Sequence, residues 1–132
     1  LRVFSRACPL LVPLVEEGRT DDRVVRLVLE EYLRPLLRRG VDTLVLGCTH
    51  YPLLKRAIQR VAGRPVHLVD SAERCAEYVR ERLAESGLLA DRRRRRGAIQ
   101  PFVTDEVERF ADSAERFLGQ RTGRVWQVEL GG

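Results

Sequence analysis

The chain has 132 residues, which suits one domain or parts of two, and 44% hydrophobic with 33% charged residues is typical of a soluble globular protein. No apolar run approaches the length of a membrane span and no signal peptide opens the sequence, so the expected compartment is the cytoplasm, with no membrane partner. The net charge of +5 disappears without the five arginines at 92–96, which favours a solvated loop there over a nucleic-acid-binding face.

The first part of the sequence predicts a connecting segment and then a long helix. Residues 8–18 hold two prolines and a glycine with little periodicity, which favours a loop. Thr20 or Asp21 is the expected N-cap of a helix that continues to about Arg39, and Pro35 is expected to kink or break it. Apolar residues at helical spacing predict its buried face: Val25, Leu29, Tyr32 and Leu36.

The middle of the sequence alternates short apolar runs with helical patterns. The runs at 41–46 and 66–69 predict two buried strands, and the spacing between them predicts a helix over 51–61. Another helix is expected to begin at 70–71. Its apolar residues recur at helical spacing and predict a buried side: Ala72, Cys75, Ala76, Val79 and Leu83.

The last part of the sequence continues the same alternation. After a loop at 87–97 we expect a strand at 99–103, a helix whose cap and first turn come from 104–106, and a strand at 125–130. The apolar positions of that helix are Val107, Phe110, Ala111, Ala114, Phe117 and Leu118. Strands that alternate with helices predict the α/β class with a largely parallel sheet.

The cysteines and the missing methionine narrow the chemistry. The three cysteines are Cys8, Cys48 and Cys75; their odd number and wide spacing argue against a disulfide scaffold and against a zinc site. We therefore expect no metal. The sequence contains no methionine and begins at Leu1, which leads us to expect that upstream sequence is missing.

The strongest candidate site is the turn Gly47-Cys48-Thr49-His50. Cys48 follows a predicted strand and precedes a predicted helix, which is where parallel α/β sheets bind their ligands. The helix N-terminus would stabilise a thiolate or an anionic substrate, and His50 could accept the thiol proton. A cysteine after a strand is often only a small buried residue, and that interpretation stays open.

The segment VDTLVLGCTHYPLL at 41–54 closely resembles the second cysteine motif of the glutamate racemase family, within the aspartate/glutamate racemase superfamily. ACPLLVPLVEEG at 7–18 resembles the segment that precedes this motif in the family. The helix segment YLRPL at 32–36 also matches, as does Asp-Ser at 70–71. The resemblance is strong at 7–18 and 32–54, fair at 66–85 and weak after Gly87.

This resemblance implies a reaction and a set of site residues. The reaction is the interconversion of L- and D-glutamate without a cofactor, which supplies D-glutamate for peptidoglycan. Cys48 matches the catalytic thiol of one face of the α-carbon, and His50 matches a residue that assists this thiol and contacts substrate. Thr49 matches a substrate-contacting position, and Glu16 matches an acidic residue near the site, with Glu17 the less favoured match.

The resemblance also implies an incomplete enzyme. It places 1–69 in a three-layer, parallel-sheet lobe and 70–132 in a segment that returns to a second lobe, here incomplete. Racemisation needs two thiol groups on opposite faces, and in the family the other thiol comes from the N-terminal half. Cys8 and Cys75 do not match that motif and are interpreted as packed residues. We therefore expect this chain to be inactive alone; a homodimer of the complete enzyme is left open.

Other interpretations stay open at this stage. Cys48 and His50 could form a Cys-His hydrolase or transferase, although no oxyanion hole and no group that orients His50 is identifiable. A related racemase acting on aspartate or hydantoin is a closer alternative. A non-catalytic racemase-like remnant is the third.

Overall fold

The computed structural model describes residues 1–90 and 97–131, and the chain forms two compact units, Leu1–Leu89 and Ala90–Gly132. The arginine run at 92–96 lies outside the described residues, so the loop predicted there is not tested. Within the described ranges, no helix has both the length and the apolar character needed to span a membrane.

The first helix lies where the sequence predicts a loop. Helix α1 spans Leu11–Glu16, so the prediction of a loop over 8–18 is wrong for these residues. Pro13 is tolerated because it lies in the first turn, where backbone N–H groups have no partner within the helix. Leu11 and Val15, one turn apart, are both buried and hold α1 against the core.

Helix α2 spans Arg23–Leu37, so it begins slightly later and ends two residues earlier than predicted. Its N-cap is Asp22, whose carboxylate accepts hydrogen bonds from the backbone N–H groups of Val24 and Val25. The prediction of Thr20 or Asp21 as cap is wrong by one or two residues. The helix also continues through Pro35, so no break occurs there; Pro35 falls in the last turn, where one lost backbone hydrogen bond is a small cost.

A parallel βαβ unit follows. Strand β1 spans Thr43–Leu46, a 3-10 segment spans Tyr51–Leu54, helix α3 spans Lys55–Ala62, and strand β2 spans His67–Asp70. The strands pair in parallel from Thr43↔His67 to Leu46↔Asp70, which confirms the predicted α/β class with parallel strands. The core joins residues of α1, α2, β1, the 3-10 segment and α3 with the residue before β2: Leu11, Val15, Val25, Leu29, Tyr32, Leu33, Leu44, Leu46, Leu54, Ala57, Ile58 and Val66.

Helix α4 spans Ser71–Glu85, and the buried side predicted for it is wrong. Every residue of α4 is exposed, including the whole predicted stripe of Ala72, Cys75, Ala76, Val79 and Leu83. Helical spacing of apolar residues shows which face could be buried, but it does not supply an element to cover that face. The interpretation of Cys75 as a packed cysteine is therefore wrong in this structure.

The second unit is a smaller β-α-β arrangement. Strand β3 spans Phe102–Val103, helix α5 spans Val107–Leu118 and strand β4 spans Trp126–Gln127, with the two strands parallel. Both strands are much shorter than predicted. No side chain caps α5, because Glu106 at its N-cap position is left-handed with φ 48°, so the expected capping is wrong. The predicted boundary between lobes at 69/70 stays a prediction.

Candidate active site

Cys48 lies at the carboxyl edge of the parallel strand pair. Strand β1 ends at Leu46, one residue before Gly47, and the turn that follows is closed by a hydrogen bond from Tyr51 N to the Cys48 carbonyl, at 3.2 Å. The cysteine side chain is half-buried and its sulfur is unbridged. This is the position predicted from the alternation of strand and helix, at the edge where ligands bind in such folds.

His50 lies between Cys48 and Glu16. Its Nδ1 is 3.9 Å from Sγ of Cys48, and its Nε2 is 3.7 Å from Oε1 of Glu16. An ionised carboxylate can only accept, so Glu16 favours the imidazole tautomer that carries its hydrogen on Nε2. In that tautomer Nδ1 is the ring nitrogen that accepts hydrogen bonds, and it faces the Cys48 thiol. The three side chains thus form a series of thiol, imidazole and carboxylate at the edge of the strand pair.

Thr49 is exposed and its hydroxyl is also directed at His50. The distance from its Oγ1 to His50 Nδ1 is 3.3 Å, so the thiol and the hydroxyl share one ring nitrogen. The hydroxyl hydrogen can rotate away, since a threonine hydroxyl both donates and accepts. Thr49 can therefore hydrogen-bond a ligand at the edge of the turn while Cys48 uses the imidazole.

Glu16 reaches the turn because α1 packs beside the 3-10 segment. Glu16 is the last residue of α1, one position after the buried Val15, and its side chain is half exposed. Glu17 follows as the C-cap of α1. The structure thus brings together all four residues singled out from the sequence, Glu16, Cys48, Thr49 and His50; their roles stay predictions.

Two tyrosines beside the site were not singled out from the sequence. The hydroxyl of Tyr51 donates to the Cys8 carbonyl at 3.5 Å, and the Tyr32 hydroxyl accepts from Leu10 N at 3.4 Å. Both hydrogen bonds are long, but together they tie the segment before α1 to the site. The position of Tyr51 directly after the Cys-Thr-His turn was the available signal.

The second cysteine of this region is poorly suited to act as a base. Cys8 is partly buried and packs against the core, as predicted. Burial raises the pKa of the Cys8 thiol above its ordinary value, against smaller lowering effects of the Arg6 charge and the Tyr51 hydroxyl. Its thiolate is therefore scarce near neutral pH.

An open cleft of about 880 Å³ adjoins the site on the other side of β1. Its walls come from the segment at 1–8 and from 39–47, and it reaches Tyr51 but not Cys48, His50 or Glu16. Within the described part of the chain no strand pairs with this edge of β1, and Val45 is 69% exposed there. The cleft therefore marks an unpaired strand edge and not the candidate site itself.

The described residues contain no cluster of three or more histidine, cysteine, aspartate or glutamate side chains that could hold a metal ion.

Comparison with known proteins places this geometry in a family. The sequence model for Asp/Glu/Hydantoin racemases matches residues 3–79, more than half of the chain, including all four candidate site residues. The chain belongs to the Asp/Glu/Hydantoin racemase family. It is 52% identical over 133 aligned positions to a glutamate racemase of Syntrophus aciditrophicus and 50% identical over 130 to one of Geobacter metallireducens, each comparison covering 98% of this chain.

Solved structures support the same assignment. A glutamate racemase of Bacillus anthracis superposes with a TM-score of 0.85 at 38% identity, and one of Francisella tularensis in complex with D-glutamate with 0.83 at 30%. These comparisons cover 98% and 97% of this chain, but 48% and 47% of the other chains. The Syntrophus and Geobacter relatives are likewise covered over 47% and 48%. The chain thus spans about half the length of the relatives it matches.

Proposed function

We propose that this chain provides one half of the active site of a cofactor-independent glutamate racemase, with Cys48 as the proton-transferring thiol. The observation that carries the proposal is that His50 contacts both Cys48 and Glu16. Its Nδ1 is 3.9 Å from the Cys48 sulfur, and its Nε2 is 3.7 Å from a Glu16 carboxylate oxygen. The substrate is taken from the relatives, which are named glutamate racemases, one of them solved with D-glutamate.

The proposed chemical step is a proton transfer at the α-carbon. The Cys48 thiolate takes the α-proton, an S–H bond forms, and the electron pair of the broken C–H bond is delocalised toward the substrate carboxylate. His50 first accepts the thiol proton, and the Glu16 carboxylate favours the resulting imidazolium. Thr49, exposed at the edge of the turn, is proposed to hydrogen-bond the substrate.

One thiol can serve only one face of the α-carbon. Inversion requires a proton donor on the opposite face, and the other two cysteines of the chain do not fit that role. Cys75 is exposed on α4, and Cys8 packs against the core. The chain by itself is therefore proposed to exchange the α-proton with retention of configuration and not to racemise glutamate.

The wider role follows from the substrate. The complete enzyme is proposed to make D-glutamate in the bacterial cytoplasm, and this D-glutamate is proposed to be used for peptidoglycan. No nucleic-acid or membrane partner belongs to this proposal, and a homodimer of the complete enzyme stays a prediction.

Two other activities have specific support. The family includes aspartate and hydantoin racemases, so the same turn could serve another substrate. The contact between Glu16 and His50 also supplies the orienting group that a Cys-His hydrolase needs. Such a hydrolase would accumulate an acylated Cys48 with an activated ester, whereas a racemase would exchange an α-proton with no covalent intermediate.

The test is incubation of the purified chain with L-glutamate, L-aspartate or a hydantoin in heavy water. We expect α-deuterated L-glutamate without D-glutamate, and a loss of exchange of about 10²-fold or more in Cys48→Ala. Cys75→Ala is the matched control, since Cys75 is exposed and away from the turn. Equal exchange in Cys48→Ala would overturn the proposed role of this thiol.

A second experiment tests the need for a partner thiol. The chain is mixed with the separately produced other half of a homologous glutamate racemase, and D-glutamate is measured by chiral chromatography. We expect D-glutamate only with both halves present and Cys48 intact. Formation of deuterated D-glutamate by the chain alone would show that a second proton donor exists within it.

A further inference from the structure

The turn that carries Cys48 is held at both of its ends by the start of one helix. At its beginning, the Ser71 hydroxyl donates to the carbonyl of Leu46, the last residue of β1, at 3.4 Å. At its end, Lys55, the first residue of α3, contacts Asp70 and Glu73, with Nζ–O distances of 3.6 Å and 2.6 Å. The segment from Leu46 to Lys55 is therefore anchored twice against residues 70–73.

Asp70 makes the start of α4 a firm anchor. It is 4% exposed, it is paired with Leu46 as the last step of the parallel ladder, and its Oδ1 accepts from the backbone N–H groups of Ala72 and Glu73. Its Oδ2 faces Lys55. A buried carboxylate with four such constraints has little freedom, because losing any partner leaves charge without compensation.

Lys55 supplies the corresponding attachment from the other side. Its hydrogen bond to Glu73 raises the pKa of Lys55, against the opposing effect of burial, so the ammonium group stays charged near neutral pH. It is the single lysine among 24 basic residues of the chain. A compact ammonium can contact two carboxylates at once without the planar geometry that a guanidinium requires.

We propose that Ser71 and Lys55 are positioning residues that hold the Cys48 turn at its two ends and so set the distance between the Cys48 thiol and His50. The inference rests on the proposed function, in which this thiol is the reacting group. The separation of 3.9 Å is at the long limit of a hydrogen bond to sulfur, so a small displacement of either end changes the interaction steeply. Neither side chain touches the substrate-facing groups in this scheme.

The test measures the reactivity of Cys48 in the whole chain. Iodoacetamide alkylation is followed against pH, and the peptide that carries Cys48 is quantified by mass spectrometry, which separates it from the peptides of Cys8 and Cys75. We expect Ser71→Ala to shift the pH midpoint of alkylation by about 0.5 unit or more, a roughly threefold change in thiolate at a given pH. Ser71→Thr, which keeps a hydroxyl, should restore the midpoint.

The matched control is Ser86→Ala. Ser86 lies at the other end of α4, and its hydroxyl also donates to a backbone carbonyl, that of Arg82, at 2.8 Å. Loss of a helix-end hydrogen bond alone should lower the unfolding temperature in both variants but leave the Cys48 midpoint unchanged in Ser86→Ala. Equal midpoints for Ser71→Ala and Ser86→Ala would overturn the proposal.

Lys55→Gln provides the second arm if Ser71→Ala does not fold. It is compared with Arg82→Gln, which removes a cation from an exposed pair with Glu85 on α4. The alkylation midpoint of Cys48 is measured for both variants in about 1 M salt, where the Debye length is roughly 3 Å. Long-range effects of the lost charge on Cys48 are then screened, so a remaining shift reports displacement of the turn. An unchanged midpoint in Lys55→Gln would overturn the two-ended attachment.

The readout separates this inference from the proposed function. Absence of α-proton exchange with shifted midpoints would refute the racemase role and leave the positioning role standing. Intact α-proton exchange with unshifted alkylation midpoints would refute the positioning role and leave the racemase role standing.

Discussion

At the scale of single residues, the proposed reactivity of the Cys48 thiol depends on how Glu16 and Thr49 interact with the imidazole ring of His50. Glu16 is 3.7 Å from Nε2 of His50, while the thiol and the Thr49 hydroxyl face Nδ1. The carboxylate is thereby placed to favour the tautomer in which Nδ1 is the proposed base. Since the Glu16 side chain is half exposed, its contribution is moderate and screened by salt.

The specific effect of Glu16 on His50 can be distinguished from a general effect of negative charge by comparing substitutions at Glu16 and at the adjacent Glu17. We expect Glu16→Gln to lower α-proton exchange by about tenfold, because the amide no longer favours the Nε2–H tautomer or the imidazolium. Glu17→Gln removes the same charge at the exposed C-cap of α1 and should change exchange by less than about twofold. Equal effects of the two substitutions in the heavy-water assay would contradict the assignment of Glu16.

At the scale of elements, helix caps and buried apolar faces decide which segments are anchored. Helix α2 has both a capping carboxylate and four buried residues, Val25, Leu29, Tyr32 and Leu33. Helix α4 has a cap but no buried residue. We therefore expect α2 to be a stable part of the unit and α4 to depend on its N-terminal end, where the Asp70 cap contacts Lys55 of α3.

The cap of α2 predicts a dependence of stability on pH. The hydrogen bond from Arg19, with those from Val25 and Val24, holds the pKa of Asp22 below its ordinary value of 3.8. Its stabilising contribution is therefore fully present above pH 3.8 and is lost as the pH falls through the lower pKa of the folded state. Asp22→Asn keeps an acceptor but no charge, so its urea midpoint should change less between pH 5 and pH 2 than that of the wild type. Asp42→Asn, in the exposed residue before β1, is the control and should follow the wild type.

Two leucines of α2 test the anchoring by burial. Leu29 is 0% exposed, whereas Leu27 on the same helix is 51% exposed. Leu29→Ala should lower the free energy of unfolding by about 2–5 kcal/mol, since it leaves a cavity in the core. Leu27→Ala should change it by no more than about 0.5 kcal/mol. Urea denaturation followed by circular dichroism measures both, and a large loss in Leu27→Ala would show that this face of α2 is covered.

At the scale of the whole molecule, apolar surface is exposed on both units. In the unit Leu1–Leu89, Tyr78, Val79 and Leu83 of α4 are 63%, 48% and 37% exposed. In the unit Ala90–Gly132, Phe110 and Phe117 of α5 are 38% and 42% exposed. Val79 and Leu83 belong to the side of α4 that the sequence pattern predicted to be buried, and Phe110 and Phe117 belong to the apolar positions predicted for α5. Exposed apolar area on this scale favours association with further polypeptide.

The net charge makes a separate prediction for the whole chain. All of the +5 charge is concentrated in the five arginines at 92–96, and no aromatic residues lie among them to stack with bases. We expect the chain to bind duplex DNA with a Kd weaker than about 10⁻⁴ M at about 0.15 M salt. A variant with glutamines at these five positions is the control. Tighter binding that is lost in this variant would indicate a nucleic-acid site.

The sequence by itself determined the alternation of strands and helices, the place of Cys48 after β1, and the acidic cap at Asp70. These features follow from apolar spacing and short-range hydrogen bonds, which act over a few residues. It did not determine the helix at Leu11–Glu16, the continuation of α2 through Pro35, or the exposure of Cys75. Each of these depends on what packs against a segment, which no local pattern contains.

The tertiary structure decided the arrangement on which the proposed chemistry depends. Glu16 meets His50 because Val15 and Leu54 are buried in one core, which brings α1 to the 3-10 segment. Ser71 meets the carbonyl of Leu46 because the parallel register ends at Leu46 and Asp70. Local preferences choose helix or strand for each segment, but burial of shared apolar surface chooses which segments become neighbours. The contacts that position the Cys48 thiol are therefore properties of the packed unit.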